Sequence, residues 1–275
     1  MRPDYTIVIP RRGINDQGKG KKHALHRLVG EAQTEYVHLM DDDVVPPSAV
    51  PETDADLLIL PLRMESSNAH PTLIEELQIA EYDAIQSLTV LSAQRGHAVM
   101  CSGANMIVRK DRWLESYADL HPDMPSGDDM FLLESFKRRG LRIDVADAPE
   151  YEAVVRPQPT LRALLRQRMR WAGKTPAYRD RDIRICGATV LIANLLQVLC
   201  PPVLRIKFPV EYHLIRSRQQ ARAAQKPALA QGQSSYPRSP FLVILLLEVL
   251  YPFYMLICLI GGVFRRYIQK ESPSF

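Results

Sequence analysis

Glu35-Tyr36-Val37-His38-Leu39-Met40-Asp41-Asp42-Asp43 decides the fold of this chain. A short run of strand-forming residues stops in three adjacent acids. An apolar strand that ends in carboxylates puts hard oxygen ligands at the carboxyl end of a sheet, where open α/β sheets bind their ligands. Asp41 and Asp43 form a D-x-D pair. Mg²⁺ takes one or two carboxylates and leaves its other positions to phosphate and water, so the pair suits a divalent cation carrying a phosphate. An acidic surface turn has the same sequence, and this stretch alone does not separate the two.

Before the acids, Thr6-Ile7-Val8-Ile9 predicts a buried strand, ended by Pro10 and by a glycine-rich basic stretch from Arg11 to Lys22. Gly13, Gly18 and Lys19 fit G-x-x-x-x-G-K, the opening of a P-loop, but Gly20 stands where the magnesium-binding Ser or Thr belongs. A P-loop nucleotidase is therefore a minor alternative. His23 to Gly30, with Ala24, Leu25, Leu28 and Val29 on one face, predicts a helix between two strands.

After the acids, Leu57-Leu58-Ile59-Leu60 predicts a further strand, and Thr72 with Glu75 forms a capping box that opens a long helix. Leu73, Leu77, Ala84, Leu88 and Leu91 define its expected core face. Val99 to Val108 reads as a strand and turn around Gly103, and Trp113 to Tyr117 as a short helix. Asp128 and Asp129 precede Met130 to Arg139, a helix that ends in Lys137-Arg138-Arg139 and Gly140. The two acids either cap this helix and offset its macrodipole or act as a general base in a cleft. Short strands are expected in Leu141 to Val155, then a helix from Pro159-Thr160 to Trp171. On that helix Gln167, Arg170 and Trp171 share a face at i, i+3 and i+4. An amide, a guanidinium and an indole side by side suit a pyrophosphate and a stacked sugar ring, while a packed tryptophan with solvated neighbours is the bland alternative.

With 275 residues, 46% hydrophobic and 24% charged, the chain can bury one full core and carry an appendage, and it is not a disordered protein. The net charge of +4 matters less than its location. Arg162, Arg166, Arg168, Arg170, Lys174, Arg179, Arg181 and Arg184 crowd one stretch, which suits phosphates or anionic headgroups. Cys101, Cys186, Cys200 and Cys258 lack C-x-x-C spacing and are expected to be reduced packing residues. No secretory signal is expected, because the first strand begins at once. Phe241 to Phe264 has one charged residue, Glu248, and is long enough to span a bilayer. Ile185 to Leu204 is a second apolar segment, interrupted by Asn194, Gln197 and Pro201-Pro202, and is either a span or a re-entrant element. The expected organisation is a catalytic domain over 1–180 and a membrane region over 181–275, with apolar segments 185–204 and 241–264 and a basic loop over 205–240 that ends as a flexible linker.

Taken in order, Asp41-x-Asp43, Gly103-Ala104-Asn105 with Arg109, Gly127-Asp128-Asp129 and Gln167-x-x-Arg170-Trp171, followed by apolar segments, resemble the membrane-bound family 2 glycosyltransferases. Cellulose, chitin and hyaluronan synthases and ceramide glucosyltransferase belong to that wider group. The resemblance covers residues 5 to about 175, and Q-x-x-R-W is its most specific part. It implies a GT-A-like, Rossmann-like α/β fold with a mixed sheet flanked by helices, followed by C-terminal transmembrane helices. It also implies inverting transfer from a nucleotide diphosphate sugar to a lipid or glycan acceptor at the cytoplasmic membrane face. Nucleic acid is not an expected partner.

Residue by residue, the resemblance makes Asp41 and Asp43 the ligands of Mg²⁺ or Mn²⁺. Gly20-Lys21 stands near the nucleotide, with Gly103 and Asn105 beside the donor. Asp129 is the base with Asp128 beside it, and Gln167, Arg170 and Trp171 lie by the diphosphate and acceptor sugar. Few residues precede Asp41, so the strand that carries the base- and ribose-reading aspartate is expected to be absent. The chain is then either shortened at its start or a reduced form acting as a membrane scaffold. Exporting the basic 205–240 loop runs against the positive-inside tendency, which leaves one to three passes open.

Overall fold

The computed structural model describes residues 5–11, 20–122, 124, 126–225 and 240–271. By packing, the chain divides into two compact units, one from Met1–Arg63, Leu88–Val155 and Arg179–Ile183, the other from Met64–Ser87, Arg156–Tyr178 and Arg184–Phe275.

The first unit is built on a five-stranded mixed sheet in the order β1-β2-β5-β3-β6. β1 (Tyr5–Val8) and β2 (Tyr36–Leu39) are parallel and joined through α1 (Lys21–Glu31), the crossover that parallel neighbours require. β5 (Met106–Arg109) runs antiparallel between β2 and β3 (Leu57–Ile59), and β3 is parallel to β6 (Ile143–Val145). Both faces are covered at β2 and β3: Val37, Leu39, Leu57 and Ile59 on one side of the pleat are at most 1% exposed, and His38 and Leu58 on the other at most 4%. Register decides what lies beside the acids. Leu39 pairs with Met106 and Tyr36 with Arg109, so the residues just before β5 stand at the acidic end of β2, and Arg109 stands at the other end. There Arg109 pairs with Glu35 at 2.9 Å.

Past the acids the chain is pinned by a two-way main-chain bridge between Val45 and Val154, both bonds 2.9 Å. The short strand β4 (Leu62–Met64), absent from the sequence expectations, pairs with β7 (Ala153–Val155). α3 (Lys110–Glu115) buries Trp113 completely, and α4 (Asp128–Arg138) buries Phe131 and Phe136. α4 begins two residues earlier than expected, so Asp128 and Asp129 are its first turn; Gly140, at φ 63°, follows its end.

In the second unit, the capping box at the start of α2 (Leu73–Gln94) forms as the sequence predicts. Thr72 N–H donates to Glu75 Oε2 at 2.7 Å, and Glu75 N–H donates to Thr72 Oγ1 at 3.4 Å. Leu77 and Ala84 pack on a core of Ala80, Ile215, Val243, Ile244 and Leu247. Leu73, expected on this core face, is 52% exposed, because it is the first residue of the helix. The basic 205–240 stretch is not a loop at its start: Leu204–Gln225 forms α7. Its Arg222 is buried against Asp83 of α2, and Gln219 donates to the same carboxylate at 3.0 Å. A buried pair of this kind explains why a basic, polar sequence is helical and packed.

α6 (Arg181–Leu199) stops before Pro201-Pro202, which make a separate 3₁₀ turn, so the apolar stretch ends five residues short of the expected boundary at 204. α6 and the Pro240–Phe264 part of α8 (Pro240–Glu271) are both long and apolar enough to cross a membrane. α5 (Leu161–Ala172), N-capped by Thr160, lies against α8 at a glycine crossing. A Cβ at Gly262 would sit 2.7 Å from both Gly173 N and Met169 O, so only glycine allows this approach. Among the described cysteines none is paired; Cys101 and Cys258 are buried, whereas Cys200 is exposed rather than packed.

Gly262→Ala is expected to lower the thermal midpoint of the detergent-solubilised chain by the equivalent of about 1–3 kcal/mol, typical of overpacking. An unchanged midpoint would remove the glycine crossing as the determinant of how α5 meets α8.

Candidate active site

The site in the first unit is assembled by two helix starts and one strand end. Gly20 precedes α1 with φ 87° and ψ 173°, a region open essentially to glycine alone, and nothing lies within 4 Å of where its Cβ would be. Conformation, not space, demands this glycine. It turns the chain so that Lys21 opens α1, and Lys21 Nζ lies 2.6 Å from Asp41 Oδ1 and 3.3 Å from Asp128 Oδ2. Gly127, left-handed at φ 91°, does the same before α4, whose first two residues are Asp128 and Asp129. Gly103 closes the third side. A Cβ there would stand 3.2 Å from Asp128 Oδ2 and 3.6 Å from Lys21 Nζ.

The structure separates the two α4 acids that the sequence left together. The Asp128 side chain is 6% exposed, and burial opposes its charge. Lys21, its own main-chain N–H and Lys22 outweigh burial and hold its carboxyl below the usual carboxylate range. Asp129 is half-buried. Its Oδ1 accepts from Met130 N–H at 2.8 Å and its Oδ2 from Gly103 N–H at 3.4 Å, so the carboxylate is aimed by main-chain groups. Cys101 donates its thiol to the Asp129 carbonyl at 3.2 Å, and burial together with the Asp129 and Asp128 charges pushes that thiol well up, keeping it a neutral donor. Lys22, adjacent to Lys21, points elsewhere: it is 3% exposed and donates to the carbonyls of Leu120 and His121 at 2.5 and 2.8 Å.

Asp41 is half-buried at the end of β2, and Asp42 and Asp43 are exposed on the turn that follows. Among the described residues no three or more His, Cys, Asp or Glu side chains gather as a metal cluster. Mg²⁺ needs no such cluster: one or two carboxylates with phosphate and water complete its shell, and Asp41 and Asp43 are hard oxygen donors of that kind. Asp41 Oδ1 is paired with Lys21 Nζ at 2.6 Å, and Asp43 is exposed. The P-loop-like spacing of Gly13, Gly18 and Lys19 lies outside the described residues.

Asn105, which the resemblance makes a substrate-binding residue, lies inside the first unit: it is fully buried, and its amide nitrogen donates to the carbonyls of Pro61 and Tyr151 at 2.8 and 2.9 Å. Its Oδ1 therefore accepts, and the 2.8 Å contact with His38 Nε2 assigns the proton to that nitrogen. Burial lowers the His38 pKa, and the Asn105 bond only partly offsets it, so the ring is neutral. Asn105 thus ties β5 to β2 and to the β4–β7 region from inside the sheet. His38 was not singled out from sequence, although a lone polar residue inside an apolar strand is the available signal.

Gln167, Arg170 and Trp171 stand on α5 in the second unit: Gln167 half-buried, Arg170 exposed and Trp171 36% exposed. Of the basic stretch, Arg162, Arg166, Arg179, Arg181 and Arg184 are exposed, while Arg168 is buried.

A mixed sheet flanked by helices, with acids at one strand end and one helix start, is consistent with a GT-A-like α/β fold. A family model described as glycosyltransferase like family 2 matches residues 7–174, and the chain belongs to that family: it is a glycosyltransferase. No curated protein matches the chain. GT-A glycosyltransferases typically use a divalent metal.

Lys21→Met is expected to destabilise the chain by about 3 kcal/mol, the low end for breaking a buried pair, because Lys21 keeps a third of its surface in solvent. The sign follows from Asp128. Its depressed folded pKa gives stability that is present above about pH 4 and lost as pH falls through the folded value. Without Lys21, burial raises that pKa, so the acid loss moves to higher pH. Thermal midpoints of wild type and variant from pH 3 to 7 check this, and parallel profiles would exclude the pairing.

Proposed function

We propose that the chain moves a sugar, with inversion at the anomeric carbon, from a nucleotide diphosphate donor, a UDP-sugar in the first instance, to a lipid or glycan acceptor at the cytoplasmic face of a membrane. The observation that carries this is the pairing of an oriented carboxylate, Asp129, with the Lys21–Asp41–Asp128 charge cluster.

A single displacement needs a base on the acceptor side and charge stabilisation on the leaving side, and no enzyme nucleophile. Asp129 is the base. Two main-chain N–H groups fix its direction, and as base the carboxylate takes the proton of the acceptor hydroxyl as that oxygen attacks the anomeric carbon and the diphosphate leaves. Asp128 is less suited to this role, because its side chain is 6% exposed and its Oδ2 is paired with Lys21 Nζ at 3.3 Å. Asp128 instead positions Lys21, whose ammonium group faces the phosphate side. Asp41 and Asp43 would hold the Mg²⁺ or Mn²⁺, which when bound neutralises charge on the leaving diphosphate. Arg170, exposed on α5, supplies a fork of donors for phosphate, Gln167 an amide, and Trp171 a partly open indole face for a sugar ring. α6 and α8 anchor the chain in the membrane, which favours addition of a single sugar to an acceptor presented there.

Asp129→Asn is expected to reduce transfer by about 10²–10⁴-fold while sparing donor binding, as loss of a general base does. Retained turnover would remove Asp129 from that role. In calorimetric titration of the detergent-purified chain with UDP-sugars, Asp43→Ala is expected to lose the increment in affinity that Mn²⁺ gives the wild type. Equal Mn²⁺ dependence in the two proteins would sink the D-x-D assignment.

A further inference from the structure

Among the buried charged side chains of the second unit, Arg168 is the one that meets an indole. Arg168, between Gln167 and Arg170 on α5, is buried at 6% exposure in a stretch whose other arginines face solvent. Its Nη2 donates to Glu81 Oε2 of α2 at 2.7 Å, and its Nε donates to Tyr254 Oη of α8 at 3.0 Å. Glu81 is itself buried, so neither charge has water to fall back on, and the guanidinium is fixed in position and in plane by two helices. Over that plane lies Trp171, with the Arg168 Cζ 4.2 Å from the indole ring. Nη1 is buried without a hydrogen-bond partner among the described residues, so the indole is the aromatic surface that this cation meets.

An indole at residue 171 could otherwise rotate, since it is 36% exposed and ends its helix one residue later. Stacked on a fixed guanidinium, it is held on one face and offers a sugar ring the other.

We propose that Arg168 is a positioning residue: the Glu81–Arg168–Tyr254 clamp fixes the plane of Trp171 and so sets the affinity of the enzyme for the sugar ring of its acceptor. This rests on the reading above in which the Trp171 indole faces a sugar ring, taken as that of the acceptor. The clamp explains why a buried ion pair is retained between helices where two apolar residues would serve stability as well. It also assigns an arginine to residue 168 by geometry, because lysine keeps the charge opposite Glu81 but has no planar group to stack or to donate to two helices at once.

The chain has two tryptophans, and Trp113 is 1% exposed, so acrylamide quenching of intrinsic fluorescence reports Trp171. The full chain in detergent is compared with Arg168→Lys and with the double variant Glu81→Gln/Arg168→Met, which leaves no lone buried charge and keeps the test available should a single truncation fail to fold. Both variants are expected to raise the quenching constant about twofold. With octyl β-D-glucoside and octyl β-D-galactoside as probe acceptors and UDP-sugar as donor, both are expected to raise the half-saturating acceptor concentration about two- to fivefold, the range a lost cation–π contact allows. Donor KM and kcat stay within about twofold. A merely structural arginine would instead lower kcat or the amount of folded protein and leave the quenching of the folded fraction unchanged. Unchanged quenching in both variants overturns the inference, and raised quenching with unchanged acceptor saturation overturns its acceptor half. Absence of transfer by the wild type to either glycoside counts against the underlying acceptor reading, while the quenching comparison still decides whether Arg168 fixes Trp171.

Discussion

A single ammonium group, Lys21 Nζ, between carboxylates from two different elements, is the constraint on which the first unit depends. It bonds the end of β2 to the start of α4, and the buried partner, Asp128, would be an uncompensated charge without it. The balance is deliberately incomplete. Among the described residues, Asp41, Asp42, Asp43, Asp128 and Asp129 are five acids near one strand end and one helix start, against two lysines, Lys21 and Lys22, whose charges both act on Asp128. A diphosphate brought to such a place meets net negative charge, so a divalent cation is the natural complement of the proposed donor.

Glycine makes that arrangement possible at three positions, for two different reasons. Gly20 and Gly127 are conformational, each turning the chain into a helix with a positive φ. Gly103 is a matter of space, since any side chain would press on Asp128 and Lys21. The result is that two helix starts deliver their first side chains to the same point. Asp128 and Asp129, adjacent in sequence, diverge because successive residues of a helix face different directions: one is buried against Lys21, and the other is aimed by main-chain N–H groups.

Much of this was legible beforehand, where the signal was local. The apolar run ending at Asp41, the capping box of Thr72 and Glu75, and the charge pattern and terminal glycine of α4 each specify their element within a few residues. The family motifs were legible as an ordered set. What could not be read was non-local. Asn105 follows Gly103 by two residues, yet both lie in the turn before β5, where no strand or helix period tells which is buried in the core and which stands against Asp128 and Lys21. The polar sequence of α7 predicts a loop with an initial surface-lying stretch, whereas its helix is held by Asp83, which comes more than a hundred residues earlier.

The second unit shows the same physics with a different outcome. Glu81 and Asp83 both lie on α2 and both are buried, and each is answered by an arginine, Arg168 of α5 and Arg222 of α7. Apolar contact alone tolerates sliding and rotation between helices, since one leucine face fits another in several registers. A buried carboxylate with one guanidinium partner does not, because any shift leaves two charges unpaired. Two such pairs on one helix fix α5 and α7 against α2 in a single register. α5 carries Gln167, Arg170 and Trp171, so the surface proposed for substrate is held by a buried charge pair. The glycine crossing of Gly173 and Gly262 then sets how closely that same helix approaches α8. Position along the helix axis comes from charge and closeness from the absence of side chains, and together they define where the exposed face of α5 is presented.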